Sequence, residues 1–113
     1  MSRRGWHMAR TADGGVVLAR GPVRFDVSAE TRLAAAPAGR IAHQVRQDLW
    51  RALRRLRGFA PVVSVTPQAD GLRVVAGGAV AGAIPPGTAD RIASVLDHPA
   101  NRTRWIAHAR RGR

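Results

Sequence analysis

The chain has 113 residues, 45% hydrophobic and 23% charged, which indicates one folded domain of modest size rather than a disordered chain. Nineteen basic residues, all of them arginine, stand against seven acidic residues, and the formal net charge is +12. Cysteine is absent, which excludes disulfides, thiolate metal sites and a cysteine nucleophile.

The N-terminal third of the chain begins with polar and basic residues and then shows short apolar and alternating segments. We predict a flexible basic N-terminal arm over residues 1–13, a single α+β domain over residues 14–109 and a basic C-terminal tail over residues 110–113. At the start of the domain, "GGVVLA" and the alternating "VRFDV" flank the turn signal "RGP" and predict a β-hairpin. The following "AETRLAAA" predicts about two helical turns, capped by Ser28 and ended by Pro37.

The main helix is predicted over residues 38–57. Its apolar side chains recur at spacings of three and four and make one buried stripe. The stripe consists of Ile41, Val45, Leu49, Ala52, Leu53 and Leu56. Gly58 and Phe59 are expected to form the C-terminal cap of this helix.

The second half of the chain is rich in β-branched residues. "PVVSVT", "GLRVVA" and "AVAGAI", joined by "PQAD" and the dipeptide "GG", predict a three-stranded antiparallel meander. Two prolines end it, and two short helices follow, one over residues 89–96 capped by Thr88 and one capped by Asp97 that carries Trp105. The predicted fold is α+β: a mostly antiparallel sheet, made of the hairpin and the meander, packed against one long basic amphipathic helix with two short C-terminal helices.

The stretch "RQDLWRALRRLRGF" carries the strongest functional signal in the chain. Its tryptophan lies outside the apolar stripe, in line with arginines of the same helix. Guanidinium groups fork onto phosphates and an indole stacks on bases, so this mixture is typical of a nucleic-acid surface. A second basic group lies near the C-terminus. The predicted nucleic-acid-binding residues are Arg46, Trp50, Arg51, Arg54, Arg57, Arg102, Arg104, Arg110 and Arg111.

Trp50 has two interpretations. It either stacks on a ligand or is covered by the C-terminal helix, and burial is slightly favoured because tryptophans are mostly buried. The arginines around it are either a solvated face or a binding surface. A binding surface is favoured, because only Asp48 lies close enough in sequence to neutralise them.

Patterns that support catalysis or metal binding are missing from the sequence. His43 and Asp48 lie five residues apart and do not share a helix face, and no histidine or acidic spacing suits a metal. Asp97 beside His98 is better explained as a helix cap than as an acid–base pair. We therefore predict that the protein is not an enzyme and has no cofactor, no metal site and no small-molecule substrate.

The excess of arginine indicates the class of partner. Codon usage in a GC-rich genome explains arginine in place of lysine, but not the excess over acidic residues, which predicts a polyanionic partner. No apolar run suits a signal peptide or a membrane span, so we predict a cytoplasmic protein without a membrane partner. The predicted function is nucleic-acid binding, RNA rather than DNA, because no helix-turn-helix or zinc-finger spacing is present. The alternative is a structural or adaptor subunit that docks its basic face on an acidic protein or a large assembly.

Overall fold

A computed structural model describes residues 6–111 and shows an α+β fold. The elements, in chain order, are β1 (His7–Arg10), β2 (Val16–Ala19), β3 (Val27–Leu33), α1 (Ala38–Leu53), β4 (Phe59–Gln68), β5 (Gly71–Val80), α2 (Thr88–Asp97) and α3 (Pro99–Arg111). The strands form one sheet in the order β1-β2-β4-β5-β3, and every neighbouring pair is antiparallel. The predicted fold class and antiparallel sheet are confirmed.

The core lies between the sheet and the helices. Helix α1 packs mainly on β4 and β2, α2 packs on β3, and α3 packs against the other two helices. Alternate strand residues join the helices in one buried cluster, as expected for a sheet with one covered face. The predicted stripe of α1 is confirmed as part of this core, because Ile41, Val45 and Leu49 are fully buried and Leu53 is 2% exposed.

The predicted three-stranded meander is wrong, because β4 and β5 are two long strands and the dipeptide "GG" lies inside β5. Gly77 and Gly78 have φ angles of 157° and 153°. A Cβ atom at these positions would approach the backbone oxygens of Val27 and Ala60 to 2.0 and 2.1 Å, respectively. Glycine is needed here because the strands on both sides of β5 come too close for a side chain.

The prediction of a short helix for "AETRLAAA" is also wrong, because most of this segment belongs to strand β3. This strand pairs with β5 along its whole length, from Val27 opposite Gly78 to Leu33 opposite Leu72. Alanine and glutamate favour a helix locally, but a complete ladder of backbone hydrogen bonds outweighs that preference.

The predicted N-terminal hairpin is wrong. Its first strand forms β2, but most of its second strand, "VRFDV", lies outside any strand, and β3 begins at the last residue of that segment, Val27. Strand β2 pairs with β1 and β4, whereas β3 forms the opposite edge beside β5. Strand β1 was not predicted, and it lies inside the segment assigned to a flexible arm. The remainder of that arm before residue 6, and residues 112–113 of the predicted tail, fall outside the described residues.

Helix α1 has 16 residues and ends at Leu53, with Arg54 as its C-cap. The predicted long helix is therefore not confirmed, and Gly58, although left-handed at φ 70°, lies in the turn that leads into β4.

The two C-terminal helices are confirmed, but their predicted caps are wrong. Gly87 is the N-cap of α2, and the Thr88 hydroxyl donates to the carbonyl oxygen of Pro85 at 2.7 Å. Asp97 is the last residue of α2 and accepts a hydrogen bond from the Thr31 hydroxyl at 3.3 Å instead of capping α3. No helix among residues 6–111 is long and apolar enough to cross a lipid bilayer.

Candidate nucleic-acid interface

The side of α1 that faces away from the sheet carries a continuous row of exposed side chains. These residues follow one another at spacings of three and four, so they share one face of the helix. They are His43, Gln47, Trp50, Arg51 and Arg54, and we refer to them as the α1 ridge. None of the five is acidic, and the sheet and the other helices leave all five in contact with solvent.

Trp50 is 40% exposed, so the interpretation that α3 buries it is wrong. The tryptophan that α3 packs against α1 is Trp105, which is fully buried and donates its Nε1 hydrogen bond to Asp48 Oδ2 at 2.7 Å. Asp48 and Trp50 are two residues apart and therefore point about 200° apart around the helix. Helix α3 thus occupies one flank of α1 and leaves the indole of Trp50 in the open.

Arg46 lies at the margin of the ridge and already has an aromatic partner. Its guanidinium carbon is 4.7 Å from the centre of the Trp6 ring, which is a cation–π contact. Partial burial lowers the pKa of Arg46, but the guanidinium stays charged at physiological pH. Arg46 therefore adds positive potential to the ridge while its side chain is held beside Trp6.

Asp48 is the acidic residue next to the ridge in the sequence, and its carboxylate accepts hydrogen bonds from side chains of α3. Its Oδ2 accepts a hydrogen bond from Arg104 at 2.8 Å as well as the bond from Trp105. Arg51 lies 3.9 Å from Asp48 Oδ1, and 66% of its side chain remains exposed. Asp48 therefore engages Arg104 closely and leaves Arg51 accessible to a ligand.

Two predicted residues of α3 hold the fold together. Arg102 donates to the Thr31 hydroxyl at 2.7 Å and to the carbonyl oxygens of Leu96, at 3.1 Å, and of Arg32. Arg110 donates to the carbonyl oxygen of Ala35 through Nε at 3.2 Å and Nη2 at 2.9 Å. These bonds tie α3 to β3 and to the segment that follows it, so the C-terminal basic group is mostly structural. Arg111 is exposed on the last turn of α3.

Arg57 was predicted to continue the helical row, but it lies beyond the end of α1. It lines an open cleft of about 540 Å³ between the segment after α1 and the segment after β5. A smaller compartment of about 200 Å³ shares Arg55 with this cleft and extends to Arg91 at the start of α2. Arg55 and Arg91 were not among the predicted binding residues, because they are far apart in the chain and no local pattern joins them.

His43 is the titratable group of the ridge. Partial burial lowers its pKa from the ordinary value of 6.5, and the positive charge of Arg46 lowers it further. The imidazole is therefore neutral at physiological pH. Below the lowered pKa its protonation adds one positive charge to the ridge.

Comparisons with protein-family models, with curated proteins and with solved structures found no match to this chain. Within the described part of the chain, no group of three or more histidine and carboxylate side chains is placed to hold a metal ion.

Proposed function

We propose that the protein is a non-catalytic nucleic-acid-binding module, for RNA rather than DNA, and that it binds through the α1 ridge. The observation that carries the proposal is the exposure of Trp50 between arginines on a helix face without a carboxylate. Arginine side chains contact phosphates while an aromatic ring stacks on a base, and together they match a single strand.

The choice of RNA follows from the stacking residue. A tryptophan stacks only on a base that is free of its duplex, and protein recognition of RNA is concentrated in single-stranded loops and ends. The proposed ligand is therefore RNA with unpaired bases. The cytoplasmic location predicted from the sequence belongs to the same proposal.

The charge distribution supports a polyanionic ligand over a solvated basic face. Asp26, Glu30 and Asp48 form ion pairs with other arginines, whereas Arg54 takes part in no ion pair in the described part of the chain. Unpaired like charges on one small domain repel each other, and phosphates relieve that repulsion.

The test is the binding of a fluorescently labelled single-stranded RNA to the wild-type protein and to two ridge variants. Trp50→Ala is expected to weaken binding by about 1–3 kcal/mol, because one aromatic–base stack contributes that much. Arg54→Ala is expected to weaken binding and to lower the slope of log affinity against log salt by about one. Both variants should keep the wild-type free energy of unfolding, measured in urea.

Arg20→Ala is the matched control, since it removes one exposed arginine that belongs to neither the ridge nor the predicted binding residues. The proposal is wrong if the protein binds neither RNA nor DNA, or if binding is independent of salt. Binding to an acidic protein with a shallow salt dependence, and not to nucleic acid, would favour the adaptor alternative.

A further inference from the structure

The cleft next to the α1 ridge is lined by Arg55, Arg57 and Arg91, and we refer to it as the arginine cleft. Its two compartments share Leu56 and Pro85, so they adjoin each other. Arg55 directly follows Arg54, the last residue of the ridge, so the lining of the cleft begins at the end of the ridge.

The three arginines of the cleft have no partner that neutralises them in the described part of the chain. All three are exposed, and none takes part in an ion pair or a side-chain hydrogen bond. No carboxylate lines either compartment; Asp90, which precedes Arg91, is exposed and lies outside the lining. Arg55 lines both compartments, Arg57 the larger and Arg91 the smaller, so the cleft carries three unneutralised guanidinium groups, which are the side chains that best recognise an oxyanion.

The walls of the cleft strengthen that attraction. Leu53, Leu56 and the Pro85–Pro86 pair surround the smaller compartment, and apolar walls concentrate the field of nearby charges. Gly87, left-handed at φ 84°, and Thr88 also line this compartment, and helix α2 starts here without a side-chain cap. The positive end of the α2 dipole adds to the field of the guanidinium groups.

We propose that the arginine cleft binds a phosphate monoester, namely the terminal phosphate of an RNA whose bases lie on the α1 ridge. This inference rests on the proposed function for the source of the phosphate, but its chemistry is that of the cleft alone. A phosphate monoester carries a charge of about −1.5 to −2 at neutral pH, against −1 for each backbone diester. A site with three unpaired arginines and no acid matches the more highly charged group.

The test compares oligonucleotides of one sequence that end in a 5′-phosphate, a 3′-phosphate or hydroxyl groups at both ends. One terminal phosphate is expected to raise affinity by about tenfold, the effect of adding charge-assisted hydrogen bonds. Arg91→Ala should abolish this gain and leave the affinity for the hydroxyl oligonucleotide unchanged. Trp50→Ala should weaken all three oligonucleotides by the same factor, which separates the cleft from the ridge.

Further variants and a small ligand test whether the cleft itself binds the phosphate. Arg91→Lys keeps the charge but loses the fork of donors, so it should recover only part of the gain. Arg55→Ala repeats the test if Arg91→Ala is poorly folded, and Arg20→Ala controls for the loss of net charge elsewhere. A nucleoside monophosphate, titrated by NMR, should perturb the cleft in the wild-type protein and not in Arg91→Ala.

The outcomes separate this inference from the proposed function. Equal affinity for the three oligonucleotides, together with no response to the nucleoside monophosphate, overturns the phosphate site and leaves the ridge intact. Binding of the nucleoside monophosphate without binding of any oligonucleotide supports the cleft and overturns the proposed function. Inorganic phosphate that binds as tightly as the monophosphate overturns recognition of a nucleotide end, because free phosphate is then a sufficient ligand.

Discussion

In α3, the guanidinium groups of Arg102 and Arg110 donate hydrogen bonds to backbone carbonyls, whereas those of Arg55 and Arg57 in the turn after α1 have no such partner among residues 6–111. The same side chain thus stabilises the fold in one region and leaves its donors available in the other. Trp105 and Trp50 differ in the same way, since Trp105 is buried against Asp48 and Trp50 is exposed. Net charge and aromatic content therefore do not identify a binding surface by themselves. The arginines and tryptophans whose side chains are engaged within the fold have to be excluded first.

The largest effect that tests this comparison is expected at the tryptophans. Trp105→Ala should lower the free energy of unfolding by about 3–5 kcal/mol, because it empties a fully buried site and removes the hydrogen bond to Asp48. Trp50→Ala should change it by less than about 0.5 kcal/mol, as is usual for a surface position. Urea denaturation followed by circular dichroism measures the free energy of unfolding of both variants. Equal losses of stability would contradict the assignment of Trp105 to the core and Trp50 to the surface.

The arginines should show a smaller contrast. Arg102→Ala removes the donors that serve Thr31 and the carbonyls of Leu96 and Arg32, and should cost about 1–3 kcal/mol of stability. Arg111→Ala, in the same helix, should cost less than about 0.5 kcal/mol. Arg102→Ala should leave the salt dependence of RNA binding unchanged, because its donors are taken by the fold. A change in that dependence with Arg102→Ala would place α3 in the interface.

The smallest effect concerns the pH dependence contributed by His43. Folding lowers the pKa of His43, so the unfolded chain binds its proton more readily and stability is lost as the pH falls from 6.5 through the lowered folded-state pKa. His43→Gln should lose less stability over that window than the wild-type protein. RNA binding should strengthen as the pH falls, because phosphates favour the protonated imidazole, and this gain should be absent in His43→Gln. Measuring stability and RNA affinity of both proteins as a function of pH gives these two differences. Identical pH profiles for His43→Gln and the wild-type protein would show that His43 contributes to neither property.

Sequence patterns predicted the elements whose periodicity is set by the core. The spacing of Ile41, Val45 and Leu49 is fixed by the contact of one helix face with the sheet, so it is visible in the sequence. β3 was missed for the opposite reason, because its strand form depends on pairing with β5, which is distant in the chain. Gly77 and Gly78 were misassigned because a pair of glycines satisfies a tight turn and a crowded strand equally well.

The candidate site could be predicted only in part. The outward direction of Trp50 follows from helical geometry, but its exposure depends on which flank of α1 is taken by Trp105 and α3. The arginine cleft depends on the sheet, because the N–H group of Ala81 donates to the carbonyl of Gly58 at 3.0 Å and so joins the end of β5 to the turn after α1. No local pattern in the sequence contains that contact.

In the strand order β1-β2-β4-β5-β3, the strands do not follow one another as they do along the chain, so the sheet cannot form in the order in which its strands are synthesised. The two central strands are joined by a tight turn at Ala69 and Asp70, whereas the strands on either side come from the N-terminal part of the chain. The edge of β2 that pairs with β4 and the edge of β3 that pairs with β5 therefore stay unpaired until residues 59–80 have been synthesised. The net charge of +12 disfavours aggregation during that interval, because like-charged chains repel one another.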